Sequence, residues 1–396
     1  MERTVITGGR VITTERTMAT GGVVIGGGRI ESVFEGEYHA QGAERIIDAA
    51  GRFISPGFID LHVHGGGGDD FMCGEADKVA AICRFHMRHG TTSIVPTLSS
   101  ADQTVFLRAM EGINEALGTM TDGPDVPGLH LEGPYFAMSQ KGAQDPRFVR
   151  NPDPAEYMEV ADRFSNILRW SIAPELPGAL EMAAVMKSRG IRMCIGHSDA
   201  LYDEAVKAYE HGFDTIIHFY SCVSTVRRIN AYRHAGVVEA GYQLDDMMVE
   251  VIADGKHLPA SLLKLIYKIK GPDRICLVTD AISAAGLDHV QGEIYSQTCG
   301  TNIVIEDSVA KLPDRSAFAG SVATADRLVR TMTALDEVPL HEAVKMLTAT
   351  PAKNIGLFGR KGSLAPGKDA DILLFDGDIN ISMVMVNGKI TYETGK

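Results

Sequence analysis

At 396 residues, 45% of them hydrophobic and 22% charged, the chain is longer than one ordinary domain and has the composition of a well-packed globular protein, not a disordered or fibrous one. Its net charge of -13 excludes a broad electrostatic footprint for nucleic acid or an anionic membrane, which leaves small molecules and copies of itself as partners. The opening MERTVITGGRVITTERTM has no uninterrupted apolar run, no stretch approaches the length of a membrane span, and Cys73, Cys83, Cys194, Cys222, Cys276 and Cys299 show no CxxC pairing, so a cytoplasmic, reducing location is expected.

In chain order, residues 1–55 hold short alternating stretches around glycine turns (TVITGGRVITT, GGVVIGGGRIESV) and predict β structure. The run Gly26-Gly27-Gly28 lacks the following helix and the Lys-Ser/Thr of a phosphate loop, so it reads as a hairpin turn. From residue 56 to 355, eight apolar runs alternate with helical stretches: FISPGFIDLHVH, TTSIVPT, VPGLHLEG, ILRWSIAPE, RMCIGHS, TIIHFYS, MMVEVIAD and RICLVTDAI. Helices are expected over 75–89, 101–117, 179–189 and 199–211, three of them stopped by His89-Gly90, Arg189-Gly190 and His211-Gly212. Eight nearly continuous apolar strands, each followed by a helix, predict an α/β fold of the (β/α)8 TIM-like barrel type, with a doubly wound open sheet as the plain alternative. Residues 356–396 return to the texture of the N-terminus in DADILLFDGDINISMVMVNGKITYE, so a small β-sandwich domain built from both termini should flank the barrel.

The chemistry-bearing residues fall at the C-terminal ends of those strands, where barrels of this type carry their sites. Strand one ends in His62 and His64, which share a side because extended residues i and i+2 point the same way. An HxH triplet alone is weak. Its support comes from Glu132, His197, His218, Asp254 with His257, and Asp280 at the corresponding ends of later strands. Buried imidazoles and carboxylates cost several kcal/mol unless paired or metal-bound. Together they suit a divalent ion, zinc first, with iron, cobalt or manganese as alternatives. His86, His89, His211 and His341 lie on helical stretches and read as surface or capping residues, and the tetraglycine 65–68 as a mobile loop beside the metal site.

The ordered set PGFIDLHVHG, HLEGP, KGA, APE, GHSDA, IIH, ADGKH, TDAISAAG, FAGS and GSLAPGKDADILLFD resembles the amidohydrolase superfamily and, within it, is similar to the N-acetylglucosamine-6-phosphate deacetylase family. The resemblance implies that Glu132, His197 and His218 are core metal ligands, that Glu132 can bridge two ions, and that His62 and His64 add a second ion, so one or two ions per subunit are expected. It implies that Asp280 both joins the metal site and is the catalytic aspartate, taking a proton from water and handing it to the departing amine. His257 then contacts the substrate carbonyl and stabilises the oxyanion. Ala143, Gln144, Ser221, Cys222, Arg233, Phe318, Ala319 and Gly320 fall at substrate-binding positions, and Arg233 would reach the phosphate of an amino sugar phosphate across the interface of a homodimer with a shared active site.

Three departures stand out. The family's Asn-Ala after the sixth strand is here Ser221-Cys222, a histidine is common where Gln144 stands, and Arg227 and Arg228 are additional candidates for the phosphate. The implied reaction is release of acetate from N-acetylglucosamine 6-phosphate, with N-acetylgalactosamine 6-phosphate or another N-acyl amino compound as the alternative substrate. A cyclic amidase would want a modified lysine at the fourth strand end, where this chain has Ala173-Pro174-Glu175. A non-catalytic scaffold should have lost ligands, and none of the expected types is missing.

Overall fold

The computed structural model describes residues 3–40, 42, 44–287 and 291–395. Eight parallel strands follow one another around a barrel: β1 (Phe58–Val63), β2 (Thr91–Leu98), β3 (Leu129–Glu132), β4 (Ile167–Ile172), β5 (Arg192–Ile195), β6 (Phe213–Ile216), β7 (Met248–Val251) and β8 (Ile275–Leu277). The circle closes where Val63 pairs with Ala281 and the Asp280 amide donates to the His62 carbonyl at 2.8 Å. Closure removes both sheet edges, and the open-sheet alternative is thereby excluded.

A helix follows each strand, in order α1 (Ala76–Arg88), α2 (Gln103–Thr119), α3 (Pro154–Arg163), α4 (Ala179–Ser188), α5 (Tyr202–Glu210), α6 (Val237–Gln243), α7 (Ala260–Lys270) and α8 (Ala325–Thr333). In α1 the buried Val79, Ile82, Cys83, His86 and Met87 recur at helical spacing and pack on the barrel wall. The Asp102 and Asp153 carboxylates cap α2 and α3 by accepting from Thr104 N and Ala155 N. The three expected glycine stops hold, with Gly90, Gly190 and Gly212 all at positive φ.

The small domain is one hydrogen-bonded sheet drawn from both termini. Phe53–Pro56 lies in its middle, antiparallel to Ile372–Phe375 on one side and parallel to Arg3–Ile12 on the other. Ile6, Val11, Val23, Ile54, Ile372, Leu374 and Met383 share its core, so neither terminus completes that core alone. Gly27 and Gly28 form the turn between Thr17–Gly26 and Arg29–Glu35, which is the hairpin expected of that glycine run. A three-stranded antiparallel sheet (Gly292–Ser296, Thr301–Glu306, Val309–Lys311) follows β8, an element that the sequence reading did not include. Among the described residues, no helix is long and apolar enough to cross a membrane.

Candidate metal centre and active site

At the C-terminal mouth of the barrel, six side chains converge. His62 Nε2 and His64 Nε2 lie 3.3 Å apart, and His197 Nε2 and His218 Nε2 lie 3.2 Å apart. Glu132, the last residue of β3, stands between the pairs: its Oε1 is 3.2 Å from His197, 3.1 Å from His218 and 3.4 Å from His62, and its Oε2 is 3.4 Å from His64. Asp280 Oδ1 approaches His64 Nε2 at 3.2 Å and His62 Nε2 at 3.5 Å. Two donor groups result, His62-His64-Glu132 and Glu132-His197-His218, both buried and sharing the glutamate.

Local backbone shape aims these side chains inward. His197, His218 and Asp280 each lie just past a strand end with φ of +47°, +28° and +48°, the left-handed region that non-glycine residues rarely occupy. Such strain persists where the surroundings over-determine it. Here Ser221 N donates to the His218 carbonyl, Ser198 N to the Cys222 carbonyl and Ser321 N to the Asp280 carbonyl, at 2.8, 3.0 and 2.8 Å.

The rear nitrogens decide how the rings are protonated. His197 Nδ1 donates to the Gln140 carbonyl at 2.9 Å and His218 Nδ1 to the Ser221 carbonyl at 3.0 Å, because a carbonyl only accepts. With Nδ1 committed to a carbonyl, each ring has only Nε2 left to offer a metal, and the two Nε2 atoms face one another and a carboxylate at about 3.2 Å. Lone pairs packed this way need a cation between them, so the donor set fits a divalent metal. Without one, protons take its place: burial opposes charge on His62 and His64, but Glu132 and Asp280 outweigh it and lift them to about 9 and about 10. Glu132 itself is held well below the usual carboxylate range; burial works against its charge, and the surrounding histidines overcome that.

The centre forms the floor of a cavity of about 520 Å3 lined by Ala143, Gln144, Ser221, Cys222, His257, Phe318, Ala319 and Gly320 among others. His257 Nδ1 donates to Asp254 Oδ2 at 2.9 Å and its ring meets Phe318 at 4.4 Å, leaving Nε2 for the cavity. Gln144 lines the cavity but is spoken for: its Nε2 donates to Glu132 Oε2 at 2.7 Å and its Oε1 accepts from Ser100 N at 2.9 Å. It therefore steadies the shared glutamate. Arg233 lies outside the cavity of its own chain, on an exposed hairpin (Arg227–Ile229 with Tyr232–His234) directly opposite Arg228. Arg227 Nη1 is engaged with Asp199 Oδ1 at 2.6 Å. Among the cavity-lining residues Lys141 is the one with a lysine or arginine side chain.

Two expectations need correcting. The tetraglycine is not a loose loop, because Gly65–Gly66 pairs with Asp69–Asp70 as a tight hairpin, and a Cβ on Gly66 would meet His86 Nε2 at 2.7 Å. His86 is fully buried, bonding the Gly65 carbonyl at 2.9 Å, so it is neither a surface nor a capping residue. Sequence reasoning also passed over Asp60, which accepts from Thr279 Oγ1 at 2.5 Å and so ties β1 to the chain beyond β8 directly beneath the centre. Glu175 turns out to accept from Ser198 Oγ and Asp199 N at 2.7 and 2.6 Å, bracing the turn that carries His197.

The sequence model described as the amidohydrolase family matches residues 53–391. N-acetylgalactosamine-6-phosphate deacetylase of Escherichia coli O157:H7 is 30% identical over 346 residues, covering 87% of this chain and 89% of that protein. N-acetylglucosamine-6-phosphate deacetylase of Haemophilus influenzae is 31% identical over 370 residues, covering 93% of each. A solved structure of an aspartate-to-alanine mutant of N-acetyl-D-glucosamine-6-phosphate deacetylase from Mycobacterium smegmatis, in complex with N-acetyl-D-glucosamine 6-phosphate, superposes with a TM-score of 0.89 at 29% identity, covering 99% of this chain and 100% of that one. With the motifs in order and the site assembled at the barrel mouth, the chain belongs to the amidohydrolase family and, within it, to the N-acetylglucosamine-6-phosphate deacetylase family.

Proposed function

We propose that this protein is a metal-dependent deacetylase that hydrolyses the acetamide of N-acetylglucosamine 6-phosphate to glucosamine 6-phosphate and acetate. The observation that carries the reading is the placement of Asp280: its carboxylate borders the two-histidine end of the cradle at 3.2 and 3.5 Å and opens into the same cavity as His257. A divalent ion bound by His62, His64, Glu132, His197, His218 and Asp280 supplies Lewis acidity toward water and an amide carbonyl. Zinc suits this mixture of imidazole and carboxylate, with iron, cobalt and manganese as alternatives, and two donor groups sharing one glutamate suit two ions.

The chain's own residues do the rest. In the metal-free cradle burial opposes charge on the Asp280 carboxyl and its histidine neighbours hold it below its ordinary range; bordering the cradle and opening into the cavity, it is the group placed to accept a proton. It takes a proton from water and returns it to the amine, which is too basic to leave unprotonated. Asp254 Oδ2, by accepting from His257 Nδ1, fixes the ring so that Nε2 faces the space where the substrate carbonyl would lie. The backbone around Phe318, Ala319 and Gly320, with Ala143, Ser221 and Cys222, lines the space left for the acetyl group and sugar.

For the phosphate, the reading assigns Arg233 to the site of a second subunit, in a homodimer. Val226, Ile229 and Tyr232 on and beside that hairpin are 52%, 36% and 75% exposed, an apolar surface that a partner subunit would cover. Free thiols, five buried and Cys222 partly exposed, suit a reducing, cytoplasmic setting.

Acetate release from N-acetylglucosamine 6-phosphate, its galactosamine epimer and unphosphorylated N-acetylglucosamine, measured on the zinc-reconstituted protein, tests this reading. Fast release from the glucosamine phosphate supports it, and no release from any of the three overturns it. The second reading, the galactosamine epimer, is favoured by the Escherichia coli relative, with Ser221-Cys222 in the cavity wall marking where the sugar-facing residues differ, and preferential turnover of that epimer would establish it. Arg233→Ala should raise KM for the phosphorylated substrate about tenfold with little change in kcat, while Arg228→Ala leaves it unchanged.

A further inference from the structure

Beneath the cradle, inside the barrel, lies a charged pair that the reaction above does not use. Glu250, in β7, is fully buried, and Arg169, in β4, is 1% exposed. Arg169 Nη1 and Glu250 Oε1 form a close ion pair, Arg169 Nη2 donates to Cys194 Sγ at 3.1 Å, and Glu250 Oε2 accepts from His62 Nδ1 at 3.0 Å. Burying two charges costs several kcal/mol per ion, so a pair kept here calls for a specific use.

The four imidazoles of the cradle are not backed alike. His197 and His218 donate from Nδ1 to main-chain carbonyls, and His64 Nδ1 faces the Ser99 hydroxyl at 3.1 Å. Only His62, among them, has a carboxylate behind it. A carboxylate acceptor fixes Nδ1 as the protonated nitrogen, leaves Nε2 as the lone-pair donor, and makes that donor more basic than a neutral acceptor does. Arg169 keeps the carboxylate in place opposite β1, since Glu250 has a cation on one oxygen and His62 on the other.

We propose that Glu250, charge-paired with Arg169, is the positioning residue that sets His62 as an Nε2 donor and thereby gives the His62-His64 half of the cradle its affinity for a second divalent ion. This rests on the metal-dependent reading above. The other half, Glu132 with His197 and His218, does not depend on it.

The test is zinc binding to the metal-free protein in competition with a chromophoric chelator, with metal content after gel filtration and the melting temperature of the metal-free chain recorded alongside. Wild type should take two ions. Glu250→Gln should bind the first as tightly as wild type and the second about 10- to 100-fold more weakly. Because that change strands the Arg169 charge and can compromise folding, the decisive variant is Arg169→Met with Glu250→Gln, which removes both charges. Selective weakening of the second ion in the double variant supports the role of Glu250. Two ions bound with wild-type affinities, or both weakened in parallel with a lower melting temperature of the metal-free chain, overturns it while the cradle stands. A wild-type chain that takes fewer than two ions overturns the two-ion cradle and this inference together.

Discussion

Asp280 and His86 illustrate how one side chain's surroundings fix what it can be asked to do. Asp280→Asn keeps the shape of the cradle and removes the proton acceptor, so turnover should fall about 100- to 10,000-fold while bound metal, assayed by elemental analysis, stays near the wild-type level. His86 is buried with Nε2 donating to the Gly65 carbonyl and Nδ1 without a hydrogen-bond partner, and burial depresses its pKa to about 4. Its unfolded value is 6.5, so between these values the unfolded chain holds more protons. Stability from this group is full above pH 6.5 and is lost as pH falls toward 4, by up to about 3 kcal/mol. His86→Gln should flatten that part of the melting-temperature profile. His62, His64, Glu132, His197, His218 and Asp280 were legible in the sequence because strand ends and i, i+2 spacing announce them. Glu250 and Arg169 left a fainter signal, a single charge inside each of the apolar strands Met248–Val251 and Ile167–Ile172, which only the closed barrel turns into a contact.

At the level of elements, the site depends on turns just beyond β5, β6 and β8. Gly320 has φ of +68°, and a Cβ there would stand 2.6 Å from Ile282 Cγ2 and 2.9 Å from the Asp280 carbonyl. Gly320→Ala should therefore cost about 1–3 kcal/mol by thermal or denaturant melting and lower kcat as well, because relief of the clash moves Asp280. The eight strands could be read from apolar runs, and α1, α2, α4 and α5 from helical pattern, three of them with glycine stops. The sheet after β8 could not: its middle strand, TNIVIE, is six residues of which only Ile303 and Ile305 are buried, and its place comes from contact with the site loops, Thr298 N donating to Asp70 Oδ2 at 3.1 Å. Gln144 lines the cavity where sequence position put it, and the fold adds that its amide is turned onto Glu132.

For the whole molecule, metal and fold are one equilibrium. An ion that binds the native cradle and not the unfolded chain adds RT ln(1 + [L]/Kd), about 4 kcal/mol at a thousandfold excess over Kd, so stripping the protein with a chelator should lower the melting temperature by several degrees and re-adding zinc should restore it. The barrel was foreseeable from the eight apolar runs, and the shared small domain from the matching β texture of the two ends. What the order of strands adds concerns how the protein is made. Phe53–Pro56 sits at the centre of the small sheet, but its neighbour Ile372–Phe375 is translated about 300 residues later, roughly 15–60 s at ~5–20 residues per second. Throughout that interval the nascent chain carries an unpaired, apolar strand edge, the feature that invites aggregation. Chains released early by ribosome stalling or a premature stop keep that edge open, and their survival in the cell depends on chaperones that shield it.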